Sequence, residues 1–225
     1  MKHFNKIEIF MNTQYLKKPF LVIIFSFLFG FFPVHQVMAA DLIAPQLPLD
    51  RIATKIKTQF QDESFTKDFN KATQYIDEVI KPHVDFNRVS ALVLGKLWKK
   101  ATKDEKLRFR QEFHTLLVRT YSRAFFEFKD WSVRFLPLKL KDGENKVIVK
   151  TEILQPGLQP LDVNYRMVLT KGSWKAYDIM IEGVSLVTNY RTSIKNEYNK
   201  KGSLNAVIEH IAKRNIAALS KENNS

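Results

Sequence analysis

The sequence predicts an α+β domain, helices packed on a four-stranded antiparallel meander, behind a removable N-terminal leader. Three observations carry this. An uncharged apolar run near the start ends in small residues. Helical periodicity fills the chain from about residue 51 to 128 and returns after Gly183. Between those stretches, apolar and polar residues alternate at every second position. None of the 225 residues is cysteine, so disulfides, thiolate metal sites and a lipoprotein anchor are excluded, and packing alone must hold the fold.

The leader has the order a secretory signal requires. Lys17 and Lys18 form a basic flank, and Phe20 to Phe32 is an uncharged run of about a dozen residues, short of the ~20 that span a bilayer. Val37-Met38-Ala39 offers a cleavage site, and cutting after Ala40 is nearly as good. Residues 1–40 are therefore expected to be removed, with the mature chain starting at Ala40 or Asp41. An uncleaved anchor would be followed by a basic stop-transfer cluster, where Pro33 and small residues stand instead. Met11 is an alternative start that leaves the mature protein unchanged. About 185 residues remain, enough for one domain (41–220) with a polar tail (221–225) expected to fray. The formal charge is +13, and losing four lysines and one glutamate with the leader leaves about +10. For an exported chain, that balance points to anionic lipid headgroups or acidic faces of membrane proteins as partners and away from nucleic acid. A monomer is expected.

After a proline-containing lead-in (Asp41 to Leu49), Ile52, Ile56 and Phe60 recur at helical spacing. Phe65, Phe69, Ala72, Ile76 and Val79 do the same until Lys81-Pro82 stops them. A third helix is expected over Phe86 to Lys100. Thr102 and Glu105 have capping-box spacing, so a new helix starts there, the longest of all. Its apolar stripe runs through Phe109, Phe113, Leu116, Leu117, Thr120, Tyr121, Ala124, Phe125 and Phe128 for about six turns. Strands are expected over Trp131 to Leu136, 146–153, 161–170 and Trp174 to Ile181. They are joined through Asp142-Gly143, Pro156-Gly157 and Lys171-Gly172, turns short enough to require antiparallel neighbours. Helices return over Ser185 to Tyr198 and over Leu204 to Leu219, with Ser203 as a cap.

Candidate chemistry is sparse. His83, His114 and His210 have no second ligand at metal spacing, and the seven glycines are scattered singly, without a phosphate loop. Gly183-Val184-Ser185-Leu186 begins like a nucleophile elbow but lacks its second glycine. Ser185 as a helix cap is the simpler reading, with a hydrolase serine the alternative. Asp178 near Glu182 could do acid/base work, but a strand carboxylate more often pairs with Lys or Arg or accepts backbone hydrogen bonds. The eighteen phenylalanines are accounted for by an ordinary core, although the long stripe and the inner strand faces should meet.

Four blocks of sequence resemble one family. They are Pro82-His83-Val84-Asp85-Phe86, then Val93-Leu94-Gly95-Lys96-Leu97-Trp98, and then Phe109-Arg110-Gln111-Glu112-Phe113 with Leu116-Leu117-Val118-Arg119-Thr120-Tyr121. The last is Gly172-Ser173-Trp174-Lys175-Ala176-Tyr177-Asp178-Ile179, continuing through Glu182-Gly183-Val184-Ser185-Leu186-Val187 to Asn189-Tyr190-Arg191. In order and spacing they resemble the MlaC family of periplasmic phospholipid-binding proteins, also called the toluene-tolerance auxiliary family. A cluster at Phe125, Phe126 and Phe128 and a lysine-rich strand edge at Lys139, Lys141 and Lys146 depart from it. The resemblance implies a periplasmic carrier with no catalytic role and no cofactor beyond bound phospholipid as cargo. It would shuttle lipid between an outer-membrane lipoprotein complex and an inner-membrane ABC transporter complex, keeping phospholipid out of the outer leaflet. Tyr121, Phe125, Val149, Tyr165, Met167, Val184 and Leu186 are expected to line the lipid cavity, where the helix stripe, inner strand faces and strand-to-helix turn converge. Trp98 and Trp174 are expected to anchor packing, and Gly95 and Gly183 to be close-approach or turn positions. The rival reading is a protein-binding periplasmic module with a compact core and no lipid.

Overall fold

A computed structural model describes residues 42–127 and 130–222. The leader, its cleavage site and Phe128 lie outside the described residues. The first helix, α1 (Leu47–Gln59), starts inside the expected lead-in, because Pro48 sits in its first turn, where a missing N–H costs nothing. Gln46 ties this start to the sheet margin, its amide donating to Leu136 O at 3.1 Å. The single helix expected over 65–79 is two, α2 (Glu63–Thr66) and α3 (Phe69–Ile80). Asp68 divides them, its carboxylate accepting from Lys71 N at 3.0 Å and so starting a new helix.

A 3-10 turn (Lys81–His83) leads to α4 (Phe86–Leu94) and α5 (Lys96–Lys100). The expected single helix over 86–100 breaks at Gly95, whose φ of 55° and ψ of −117° suit glycine alone. The capping box is present. Thr102 N donates to Glu105 Oε2 at 2.9 Å, and Glu105 N to Thr102 Oγ1 at 3.1 Å, opening α6 (Lys103–Glu127).

The sheet has five strands in sequential antiparallel order. They are β1 (Ser132–Phe135), β2 (Lys146–Leu154), β3 (Leu161–Thr170), β4 (Ser173–Ile181) and β5 (Val184–Ser185). The meander is thus one short strand longer than expected. Glu182 and Gly183, at φ 48° and 77°, close a tight hairpin that folds Val184 onto Ile181. α7 (Leu186–Lys201) and α8 (Leu204–Glu222) follow, the latter helical past Leu219, with Ser203 Oγ accepting from Ala206 N at 3.2 Å. No described helix is long and apolar enough to cross a membrane.

Two apolar clusters form the core. The larger gathers α4, α6, α7 and α8 around Phe109 and Phe113, stacked at 5.3 Å, with Tyr190, Ile194, Val207 and Ile208. The smaller covers one sheet face with Leu49 of α1, over Val147, Val149, Met167, Trp174 and Ala176. Among the described residues, Val84 is the one side chain that packs against both. It reaches both because its backbone bridges to Ala176 and Asp85 N donates to Ala176 O at 2.9 Å. This corrects the expectation that the long helix stripe faces the strands. Its first half is spent on other helices.

Candidate functional site

Cross-strand pairing assigns the sheet's inner face. Val133 and Phe135 of β1 stand beside Ile153, Thr151, Val149 and Val147 of β2. Leu161, Val163, Tyr165 and Met167 of β3 follow, then Ile181, Ile179, Ala176 and Trp174 of β4. A bulge between Arg166 and Met167 keeps both halves of β4 in step, so the face stays apolar across nearly its whole length. The opposite face carries Arg134, Lys146, Lys150, Glu152, Arg166 and Lys175, with Val168 and Asp178 buried among them.

Burial along the inner face is graded. Met167 and Val149 are fully buried under Leu49, Thr151 and Val163 are buried beside them, and Tyr165, Ile153, Leu161, Ile179 and Ile181 are only partly covered. Val184, opposite Ile181, is 49% exposed and forms the rim. Thr151, in the same row, turns its hydroxyl to Val163 O, so the one buried polar side chain in that row is satisfied. Burial pushes the Tyr165 phenol up to about 12, despite the Thr151 hydroxyl beside it, so the ring stays neutral.

Two helix ends reach the same open end of the sheet. The Phe125 ring lies 5.8 Å from Trp131, the residue before β1, and 6.5 Å from Phe60. Phe126 packs 5.2 Å from Phe60 and 4.7 Å from Phe69. Apart from the buried Phe65, the rings of this cluster are half-buried. Leu186 follows β5 directly and packs against the helical cluster together with Tyr121. Burial, with the Tyr190 phenol nearby, raises the Tyr121 hydroxyl far out of its ordinary range.

The seven expected lining residues therefore fall into three groups. Val149, Tyr165, Met167 and Val184 descend one sheet face, Phe125 sits among the aromatics at its end, and Tyr121 and Leu186 belong to the helical cluster. The sequence reading missed Ile153, Leu161, Ile179, Ile181 and Trp131. The period-two alternation that picked out Val149 and Tyr165 places Ile153 and Leu161 on the same face, whereas Ile179 and Ile181 reach it only through the bulge in β4, which alternation does not reveal.

The residues considered for catalysis have structural partners. Asp178 is buried, and its Oδ1 accepts from Val187 N at 3.1 Å. Its Oδ2 accepts from Ser185 Oγ at 2.7 Å and from Arg166 Nη1 at 3.2 Å. Ser185 Oγ in turn accepts from Thr188 N at 3.1 Å, capping α7. Glu182 is spent on Asp162 N at 2.7 Å. Asp178 and Ser185 thus fasten the start of α7 to β4, while Glu182 ties the turn after β4 to β3. His114 Nε2 lies 2.6 Å from Asp77 Oδ1, against the Phe86 ring, and no group of three metal-ligating side chains occurs among the described residues.

Comparison with known proteins agrees with this architecture. The MlaC protein of the Haemophilus influenzae intermembrane phospholipid transport system, named there as its binding protein, is 23% identical over 197 residues, 85% of this chain and 91% of that protein. Toluene tolerance protein ttg2D of Pseudomonas putida is 22% identical over 142 residues, 63% of this chain and 66% of that one. A phospholipid-binding protein of Ralstonia solanacearum, solved in complex with a phospholipid, superposes with a TM-score of 0.69 at 25% identity, covering 76% of this chain and 94% of that structure. The family described as MlaC protein matches residues 50–213, most of the folded part, and the chain belongs to that family.

Proposed function

We propose that this protein is a periplasmic phospholipid carrier that moves lipid between an outer-membrane lipoprotein complex and an inner-membrane ABC transporter complex, and so maintains outer-membrane lipid asymmetry. The observation that carries this reading is the graded apolar face that opens toward Ile181, Val184, Phe125 and Trp131 at one end of the sheet. It suits an acyl chain entering end-on, with its headgroup left at the rim. Two chains of about 15 methylenes each would cost roughly 24 kcal/mol in water, at about 0.8 kcal/mol per methylene, so transit between bilayers needs such a cover. A cavity as apolar as the bilayer gains little from either side, which leaves direction to the partners. The export leader and family membership support a periplasmic location. No reaction is required of the site, since Asp178, Glu182 and Ser185 hold the fold together.

Mass spectrometry of solvent extracts of the purified mature protein tests this. Phospholipid in stoichiometric amount is expected, and Leu161→Asp, on the half-covered part of the face, should remove it with little change in melting. Absence of lipid even after incubation with liposomes would overturn the carrier reading in favour of a protein-binding module.

A further inference from the structure

Positive charge gathers around one histidine at the margin of β4, and the backbone shows how. Val84 forms a parallel bridge to Ala176, and Asp85 N donates to Ala176 O at 2.9 Å, so the turn that ends at His83 is set beside Lys175. Val84 and Ala176 also pack in the sheet cluster with Leu49 of α1. Arg51 and Lys55 follow Leu49 at i,i+4 spacing, on one side of α1. The Tyr75 hydroxyl donates to Lys55 O at 3.3 Å, fixing that turn of α1 to α3. Three elements thus bring four basic side chains together.

His83 and Lys175 are partly covered, whereas Arg51 and Lys55 are exposed. Burial first, and then Arg51, Lys55 and Lys175, hold the His83 imidazole below its usual range, and every charge acting on the ring is positive. None of the four makes an ion pair among the described residues. Carboxylates on the neighbouring elements are engaged elsewhere. Asp85 accepts from Arg88 N and Nε, Glu78 accepts from the Gln74 amide, and Asp77 lies against His114. Asp50, next to Arg51, has no share in the field at the imidazole, and Lys81 in the turn itself is a further exposed cation. His210 makes the contrast. It too sits among Lys201, Lys213 and Arg214, but Glu197 opposes them and pairs with Lys200 and Lys201. At His83 nothing opposes, so the fold carries a repulsion that an arriving anion relieves.

We propose that Arg51, Lys55, His83 and Lys175 form a binding site for a phosphate-type oxyanion, taken up together with a proton on His83. One guanidinium fork and two ammonium groups suit the tetrahedral oxygens of a phosphate, and the protonated imidazole adds a further donor. A bound anion stabilises the imidazolium, so by linkage the proton tightens the anion, and affinity rises as pH falls. Lys175 lies near the start of β4 and Ile181 at its end, so the site is separate from the open rim and stands or falls apart from the carrier reading.

The test follows the His83 and His210 ring resonances of the mature protein by NMR from about pH 8 to pH 5, in sodium sulfate and in sodium chloride of equal ionic strength. Sulfate keeps its double charge over that range and so isolates the histidine. The His83 midpoint is expected to rise by at least about 0.5 pH unit in sulfate relative to chloride, with His210 unmoved, and sulfate should bind about threefold more tightly at low pH than at high. Arg51→Gln/Lys55→Gln should abolish the response while melting temperature and lipid content are retained. A response to glycerol phosphate identifies a soluble phosphate ester as the source, and a response only to vesicles containing phosphatidic acid identifies a bilayer headgroup. Equal midpoints in sulfate and chloride, a response kept by the double variant, or a matching shift of His210 would overturn the proposal. So would an equal response to a hexaglutamate peptide, or a sulfate response that neither phosphate source reproduces.

Discussion

Replacing Asp178 by alanine removes the group that joins α7 to β4. Its side chain is 1% exposed and receives three donors, but they do not suffer equally when it goes. The Val187 N–H is left in buried surroundings without an acceptor, at about 1–3 kcal/mol. The Arg166 side chain is 41% exposed and can return to water, so its share is under about 1 kcal/mol. Ser185 keeps its bond from Thr188 N and loses one acceptor. The expected loss is about 2–4 kcal/mol, a large part of an ordinary domain's ~5–15 kcal/mol. Asp178→Asn keeps an acceptor for Val187 N and should lose about 1 kcal/mol. Equilibrium urea unfolding of both variants, with the m-value unchanged, measures this directly. A loss below about 0.5 kcal/mol in the alanine variant, or equal losses in the two, would refute the assignment of Asp178 as the fastening of α7.

Three further outcomes follow from local features. Gly95→Ala should cost about 1–3 kcal/mol from backbone strain alone, since a Cβ there would meet Arg191 side-chain atoms at an ordinary 3.8 Å; thermal melting reads the loss. Ser122, 1% exposed with its hydroxyl unpartnered among the described residues, should become about 1 kcal/mol more stable as alanine, again by urea unfolding; destabilisation would show that the hydroxyl has a partner. His83 is held below its usual range by burial and by Arg51, Lys55 and Lys175, and His210 by burial and Lys201, with Glu197 partly opposing. The fold thus favours the neutral form of each, so the stability this supports is complete above about pH 6.5 and declines as pH falls below it. The urea midpoint should drop between pH 7 and 5, and His83→Gln with His210→Gln should flatten that drop.

Where local chemistry decides an element, the sequence was readable. The Thr102/Glu105 box, the Ser185 and Ser203 caps and the strand alternation depend on neighbours within four residues, and each occurs as read. The α+β architecture followed from their order. Breaks within helices were harder, because Asp68 and Gly95 are compatible with an uninterrupted helical period even though, once folded, Asp68 caps a new helix through Lys71 N and Gly95 takes a positive φ. The site was half legible. Alternation assigns residues to a strand face, but which end of that face stays uncovered depends on where α1 and α6 lie, and helix periodicity does not say which partner a stripe will meet. The long stripe of α6 looked like a wall for the sheet, yet Phe109 and Phe113 bind it to α4, α7 and α8.

Val84 gives the division of the core a mechanical meaning. A core in one piece resists widening because every displacement exposes several side chains together. Here the helical bundle and the sheet keep separate close packing and meet at β4, through half-buried Val84, through Tyr177, and through the bond from Asp85 N to Ala176 O. Asp178 adds a polar tie at the same place, so the two halves of the core are joined at one strand by bonds of fixed direction and elsewhere each is free to pack on its own terms.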